Sequence, residues 1–282
     1  MKLINLVYLR ACFSLVMLCV LGAGCLHAIK QEDDFISLLK DMKLYGPINA
    51  DFHSGRLFEH TIWVARAAAN FLDCSDWQEG LSHDLFRLII ISALLHDVGK
   101  AGDFNYNYFP KGCHPDTGLC YLVGSKSYSI NNAKNFDFKI LFDSLGLSFD
   151  DRKFVSIMVG MHHSLGNLML GVSFETVLKE LDNYIAKTGY KGGKLNRRSK
   201  DYQQLVRSIC LLGAADVMGA QVISHDPILH LIINKIVGLD LSGEAPTAVM
   251  NFIGAPRYIE FNYAEKGLAF RNKLLAYIMS EP

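Results

Sequence analysis

The sequence has no excess of charge of either sign. Its lysine and arginine residues number 28, as do its aspartate and glutamate residues, so overall charge gives no argument for a nucleic-acid or membrane-surface protein. None of its seven cysteines forms a C-x-x-C pair, which leaves a zinc ribbon without support. Internal repeats and low-complexity tracts are also missing. Half of the residues are hydrophobic and a fifth are charged, a composition that excludes a disordered chain and provides a sizeable core.

The first 28 residues are typical of an export signal. Lys2 and Arg10 make the start basic, residues 11–24 are apolar and small, and Leu26-His27-Ala28 is a passable cleavage site. Two alternatives are a retained membrane anchor, although the apolar run is slightly short for a full span, and a first core helix. We therefore expect an exported (periplasmic or secreted) or anchored protein that contacts a membrane only through this segment, or a cytoplasmic one if the leader is not functional.

Most of the remaining sequence predicts helices. Residues 101–135, rich in Tyr, Asn, Gly and Ser, predict a long irregular insertion of the kind that is usually functional. We expect an all-α fold, with a main domain over 29–238 and a C-terminal extension, 239–282, packed on it and holding a strand-like stretch at 257–261. The predicted helices are 33–43, 55–72, 82–99, 136–146, 150–163, 173–187, 201–221, 227–237 and 264–279.

Ionisable side chains interrupt several of the apolar helices. Each has an ordinary explanation as a buried, hydrogen-bonded residue or a cap, but together they supply imidazole and carboxylate groups from separate helices without a thiolate. Such a set suits Mn, Fe, Mg or Zn, and a bound divalent ion makes a water nucleophilic near neutral pH. The residues are His60, His96, Asp97, His162, His163 and Asp216.

The order of these residues resembles that of the HD-domain phosphohydrolase superfamily, in which a histidine, a His-Asp doublet and a distant aspartate follow one another. "LLHDVGK" (94–100) is the most specific motif, and "LFEHTIWVARAA" (57–68) resembles the first helix of the family. The resemblance covers roughly residues 50–222. It implies a helical HD-domain bundle that binds one or two divalent ions through His60, His96, Asp97 and Asp216, with Asp97 bridging two ions if both are present.

The resemblance also suggests further site residues. A second ion would need two more histidines, for which His114 and His162 are the candidates. Lys100 would pair with a substrate phosphate or with a nearby carboxylate, and Arg56 is a second candidate for binding the substrate. His163 is a candidate acid for the leaving group if it is not itself a ligand. We therefore expect Asp97, Lys100 and His163 to take part in catalysis.

Three branches of the superfamily share features with this chain. HD-GYP phosphodiesterases share His114, Pro115 and Gly118 after the doublet, but Ser164 stands where their signature needs an acid. HD-type 3′–5′ exoribonucleases contain a sequence similar to "FHSGRLFEHT" (52–61), in which His53 precedes the first expected ligand. Deoxynucleotide triphosphohydrolases place an arginine just before the first histidine motif. All three cleave phosphate esters or anhydrides, so we expect a phosphodiester, a nucleotide or another phosphate ester as substrate. Nucleic acid is possible but is not indicated by net charge.

Two other hypotheses about the function remain open. Myo-inositol oxygenase uses a similar six-ligand di-iron arrangement and carries a phrase resembling "FPKGC" (109–113), so a di-iron oxygenase is the alternative enzyme. A non-catalytic binding module that retains the HD fold is the other alternative. The sequence names neither the metal nor the oligomeric state.

Overall fold

A computed structural model describes residues 57–100, 114–124, 128–130, 134–136, 138–221 and 263–280. The expected leader, the helices predicted at 33–43 and 227–237, the strand-like stretch and Arg56 lie outside these residues. The described chain is almost entirely helical, so the all-α expectation is confirmed. Its helices are α1 (Leu57–Leu72), α2 (Ser75–Gln78), α3 (His83–Leu95), α4 (His114–Leu122), α5 (Phe138–Ser144), α6 (Phe149–Met161), α7 (Ser164–Met169), α8 (Phe174–Thr188), α9 (Lys200–Gln221) and α10 (Tyr263–Ser280).

The predicted helices within the described residues agree with the structure to within a few residues. Short 3₁₀ turns follow α3 at Val98–Lys100 and α8 at Tyr190–Gly192. The capping chemistry explains the sharpest boundaries. Ser148 forms a capping box at the start of α6, and Gly189, with φ 68°, ends α8 in the left-handed conformation that glycine adopts at low cost.

The insertion expected to be irregular over 101–135 contains regular structure, which corrects that expectation. Helix α4 occupies 114–122, and two short antiparallel strands follow, β1 (Tyr128–Ile130) and β2 (Lys134–Phe136). Pro115 suggested a loop, yet it lies in the first turn of α4, where proline is tolerated because the missing N–H would have no helical partner there. Gly118 lies in the middle of the helix for a packing reason given below.

The helices enclose one apolar core, and α9 runs through its centre. Helix α9 packs against α1, α3, α6, α7 and α10. Its apolar face, which includes Leu205, Leu211 and Leu212, is completely excluded from solvent. A 22-residue helix with such neighbours is held by tertiary burial more than by helix propensity. The helices that carry the candidate site residues are therefore fixed relative to one another.

Helix α10 is the described part of the expected C-terminal extension. It packs against α9 and α7, and Gly267 allows a close approach, since a Cβ there would lie 3.3 Å from the Cβ of Ala214. The buried guanidinium of Arg271 donates hydrogen bonds to the carbonyl oxygens of Asp76 (2.8 Å) and Trp77 (3.3 Å). Within the described residues, no helix is both long enough and apolar enough to span a membrane.

Candidate metal centre

The His96–Asp97 doublet lies in the turn between α3 and the following 3₁₀ turn. His96 is fully buried, and its Nδ1 lies 2.7 Å from the carbonyl oxygen of Ala93 in the last turn of α3. A carbonyl oxygen only accepts hydrogen bonds, so Nδ1 carries the proton and donates it. This bond fixes the ring so that Nε2 is directed into the interior, as metal-ligating histidines are commonly oriented.

The His162–His163 doublet repeats this arrangement at the end of α6. His162 Nδ1 lies 2.7 Å from the carbonyl oxygen of Val159, three residues earlier. The rings of His96 and His162 meet edge to face, with centroids 5.2 Å apart. Two helices thus present Nε2 atoms to a common space by the same main-chain contact.

The first group of donors surrounds one oxygen of Asp97. His60 Nε2, from α1, lies 3.2 Å from His96 Nε2 and 3.0 Å from Asp216 Oδ1, which comes from α9. Asp97 Oδ2 lies 3.4 Å from His96 Nε2 and 3.7 Å from His60 Nε2. We call His60, His96, Asp97 Oδ2 and Asp216 the first donor group.

The second group surrounds the other oxygen of the same carboxylate. Asp97 Oδ1 lies 3.1 Å from His114 Nε2 and 3.6 Å from His162 Nε2, and these two nitrogens are 3.2 Å apart. His163 adjoins them, with ring centroids 4.2 Å from His162 and 4.6 Å from His114. We call Asp97 Oδ1, His114, His162 and His163 the second donor group.

Close backbone packing brings the two groups together. A Cβ on Gly99 would lie 2.0 Å from the carbonyl oxygen of His114, so this position has no room for a side chain. A Cβ on Gly118 would lie 2.8 Å from Val159 Cγ1 and 3.4 Å from the nitrogen of Gly99. The turn that carries Asp97 therefore touches the backbone of α4. The helix predicted over 82–99 ends at Gly99, and the structure adds a steric requirement at this position.

Helix α9 reaches the site through a similar contact. Three small residues, Gly213 to Ala215, precede Asp216 on this helix. A Cβ on Gly213 would lie 2.8 Å from Leu165 Cβ and 3.1 Å from the carbonyl oxygen of His162. The small residue therefore lets α9 approach closely, and the contact sets the distance between Asp216 and the other donors.

The donor sets fit divalent metal ions. The His60–His96–Asp97 group and the His114–His162–His163 group could each hold an ion, since their ligand atoms lie within 4.8 Å of one another. Two neighbouring ligands of one ion at 2.0–2.1 Å are roughly 2.8–3.4 Å apart in octahedral or tetrahedral geometry, and most of the separations given above fall in this range. Asp97 Oδ1 and Asp216 Oδ1 are buried, and each lies about 3 Å from an imidazole nitrogen, His114 Nε2 (3.1 Å) and His60 Nε2 (3.0 Å). Two buried carboxylates crowded among imidazoles are costly unless cations compensate their charge.

The electrostatics of the first donor group favour cations. Burial raises the pKa values of Asp97 and Asp216. The Lys100 ammonium lowers the pKa of Asp97, and the hydrogen bond from His60 lowers that of Asp216. These effects outweigh burial and hold both pKa values well below the usual range. Burial lowers the pKa of His96, yet the Asp97 and Asp216 carboxylates raise it to about 10. Burial lowers the pKa of His60, and Asp216 offsets this only in part.

The second donor group keeps its imidazoles neutral. Burial lowers the pKa of His162 well below the usual range, and the neighbouring rings of His163 and His114 lower it further. Burial, then the charge of His114, lowers the pKa of His163 to about 4. Burial also lowers the pKa of His114, despite the neighbouring Asp97 carboxylate. Neutral imidazole is the state in which histidine binds a metal.

The site residues differ in their exposure to solvent. The side chains of His60, His96, Asp97 and His162 are at most 2% exposed, whereas those of Lys100, His114 and Asp216 are 9–14% exposed. Lys100 Nζ donates a hydrogen bond to Asp97 Oδ2 at 2.6 Å. Of the two partners expected for Lys100, the structure contains the carboxylate.

The structure therefore brings together all six residues that the sequence analysis named as expected metal ligands. His60, His96, Asp97 and Asp216 form the first group, and His114 and His162 join Asp97 in the second. The other His-Asp doublet, at His83 and Asp84, starts α3 on the surface, and both residues are exposed.

Sequence reasoning missed the residues that support the ligands. The carbonyl oxygens of Ala93 and Val159 orient two imidazoles, and their only sequence signal is a position three residues before a histidine at a helix end. Asp116 and Tyr184, joined by a 2.6 Å hydrogen bond, are 68 residues apart and carry no local signal of contact.

Comparisons with models of protein families, with curated proteins and with solved structures found no match.

Proposed function

We propose that this chain is a divalent-metal-dependent phosphohydrolase of the HD type. One observation carries the proposal: the two oxygens of the buried Asp97 carboxylate face two different groups of imidazole and carboxylate donors. A carboxylate in this position suits a bridge between two ions. Hard oxygen and imidazole donors without thiolate suit Mn, Fe, Mg or Zn.

In such a site the bound ions would lower the pKa of a coordinated water and polarise a phosphoryl oxygen. His60, His96, Asp97 and Asp216 would hold the first ion. His114 and His162, with Asp97, would hold the second. His163 lies beside both histidines of the second group and is neutral near pH 7. It suits a third ligand of that group better than a proton donor, which would first need to take up a proton.

Lys100 gives the site its preference for an anionic substrate. Its side chain is 9% exposed, and its ammonium group hydrogen-bonds to Asp97 Oδ2. When an ion neutralises Asp97, this ammonium group can donate to a phosphate oxygen and offset the charge that develops there. An amine in this position favours phosphate-ester hydrolysis over oxygenation of a neutral polyol.

The activity test uses the purified chain loaded separately with Mn²⁺, Fe²⁺, Zn²⁺ or Mg²⁺. Hydrolysis is measured on bis-p-nitrophenyl phosphate and on a panel of nucleotides. We expect metal-dependent turnover that falls by at least about 10³-fold in Asp97→Ala, since removal of a central catalytic group costs that much in comparable sites. His83→Ala is the matched control, because it alters an exposed His-Asp doublet, and it should keep full activity.

The outcomes separate the classes of function. Metal-dependent hydrolysis lost in Asp97→Ala but kept in His83→Ala supports the phosphohydrolase. Equal hydrolysis in Asp97→Ala and wild type, with both proteins folded by circular dichroism, contradicts it. Two bound irons with substrate-dependent oxygen consumption and no hydrolysis would indicate the di-iron oxygenase. A chain that is folded, metal-free and inactive on the whole panel would indicate a binding module.

A further inference from the structure

The second donor group depends on where α4 lies, because α4 carries His114 at its first residue. This helix is only nine residues long, too short to be stable without tertiary contacts. One side of α4 packs through Gly118 on α6 and on the turn at Gly99. The other side faces α8 through two polar contacts, from the Tyr184 hydroxyl to Asp116 and from Lys187 Nζ to Cys120 Sγ (3.9 Å).

Tyr184 of α8 contacts both the segment that carries His114 and the segment that carries His162. The hydroxyl of Tyr184 donates a hydrogen bond to Asp116 Oδ1 at 2.6 Å, two residues after His114. The ring of Tyr184 lies against α6 at Gly160, two residues before His162, where a Cβ would be 3.2 Å from Tyr184 Cε1. Tyr184 therefore spans the space between the two ligand-bearing helices.

We infer that Tyr184 is a positioning residue for the second donor group: it fixes His114 relative to His162 by joining α4 to α6. This inference rests on the metal function proposed above. It concerns the spacing of two nitrogens that are 3.2 Å apart, so a small displacement of α4 would separate them.

The charges around the bond explain why its loss would displace α4. Glu180 lies one turn before Tyr184 on α8, and burial together with the Asp116 carboxylate raises the pKa of Glu180. Asp116 therefore faces another acid. The Tyr184 hydroxyl is a neutral donor between the helices, and the Lys187 ammonium makes a longer contact with Cys120 Sγ (3.9 Å). Burial raises the pKa of the Tyr184 phenol, followed by the hydrogen bond to Asp116. Without this donor, the two acids would tend to separate α4 from α8.

The experiment is a titration of the full-length chain with Co²⁺, followed by its visible absorption. Wild type should bind two Co²⁺ ions. In Tyr184→Phe we expect the second ion to bind about tenfold more weakly and the first ion to bind as in wild type. Tenfold is the low end of the loss seen when a residue that supports the metal ligands, without binding the metal, is removed. Tyr202→Phe is the matched control: it removes another tyrosine–aspartate bond to α8, from Tyr202 to Asp182 (2.9 Å), away from the site.

A second pair of variants separates positioning from a general loss of packing. Asp116→Asn keeps an acceptor for Tyr184 and should retain most of the affinity for the second ion, whereas Asp116→Ala should reproduce Tyr184→Phe. The double variant Asp116→Ala/Tyr184→Phe should be no weaker than either single variant, because both remove the same bond.

Three results would overturn the inference. Tyr184→Phe could bind both ions as tightly as wild type, both ions could weaken equally, or Tyr202→Phe could lose the second ion to the same extent. Failure of the metal proposal itself would look different, because the wild-type chain would then bind no Co²⁺.

Discussion

Asp97 Oδ1 lies 3.1 Å from His114 Nε2, while Asp97 Oδ2 lies 3.4 Å from His96 Nε2. One carboxylate therefore faces donors from α3 on one side and from α4 on the other. Its full burial would be unfavourable in an ordinary core. Both donor groups therefore depend on the same carboxylate.

The two donor groups should lose their ions separately. Asp216→Asn should weaken the first ion and His114→Ala the second, each by about 100-fold or more, because removing a ligand exceeds the 10–100-fold effect of outer residues. Isothermal titration with Mn²⁺ measures both affinities, and His83→Ala should match wild type. If either variant weakened both ions equally, the separation into two groups would be wrong.

Gly99→Ala should damage the site without touching a ligand. The added Cβ would meet the carbonyl oxygen of His114 at 2.0 Å, so α4 must move. We expect a loss of about 1–3 kcal/mol in the free energy of unfolding and weaker binding of the second ion. Urea denaturation and metal titration measure these effects. Gly166→Ala, where a Cβ would meet nothing within 4 Å, is the control, and equal effects in the two variants would contradict the steric argument.

Metal affinity should rise with pH. The pKa of His96 is raised to about 10 by its carboxylate neighbours, so near pH 7 its ring carries an extra proton that must leave before Nε2 binds an ion. Binding should therefore release about one proton, and the affinity should increase by about tenfold per pH unit below the pKa of His96. Calorimetry in buffers of different ionisation enthalpy counts the protons. Affinity that is constant with pH would show that His96 is not protonated in the metal-free site.

Arg271 should stabilise the fold without affecting the site. Its buried guanidinium satisfies the carbonyl oxygens of Asp76 and Trp77. Arg271→Met leaves these acceptors without a donor, and we expect a loss of about 1–3 kcal/mol in the free energy of unfolding at unchanged metal content. Arg198→Met, which removes an exposed contact to the carbonyl oxygen of Met279, should lose much less. Loss of bound metal in folded Arg271→Met would show that α10 supports the site directly.

The sequence predicts the clustered donor residues better than it predicts the residues that support them. His60, His96 and Asp216 stand out because ionisable residues in apolar helices need a partner, and that signal is local. Most helix boundaries follow from caps such as Ser148 and from apolar periodicity. These features are decided by residues close together in the chain.

The remaining features depend on contacts between distant segments. The segment that contains α4 was expected to be irregular because residues 101–135 are rich in Tyr, Asn, Gly and Ser. Gly118 is suited to the helix only because Gly99 and Val159 come so close to it, a fact that no local pattern contains. The bond between Asp116 and Tyr184 is hidden from the sequence for the same reason.

Metal analysis of the purified chain and of Asp97→Asn tests the central claim most directly. Inductively coupled plasma mass spectrometry after dialysis should find two divalent ions per wild-type chain. Asparagine keeps the shape of Asp97 but removes the charge that both donor groups share, so both ions should be lost together from a folded variant. A wild type without divalent metal, or an Asp97→Asn variant that keeps both ions, would contradict the account.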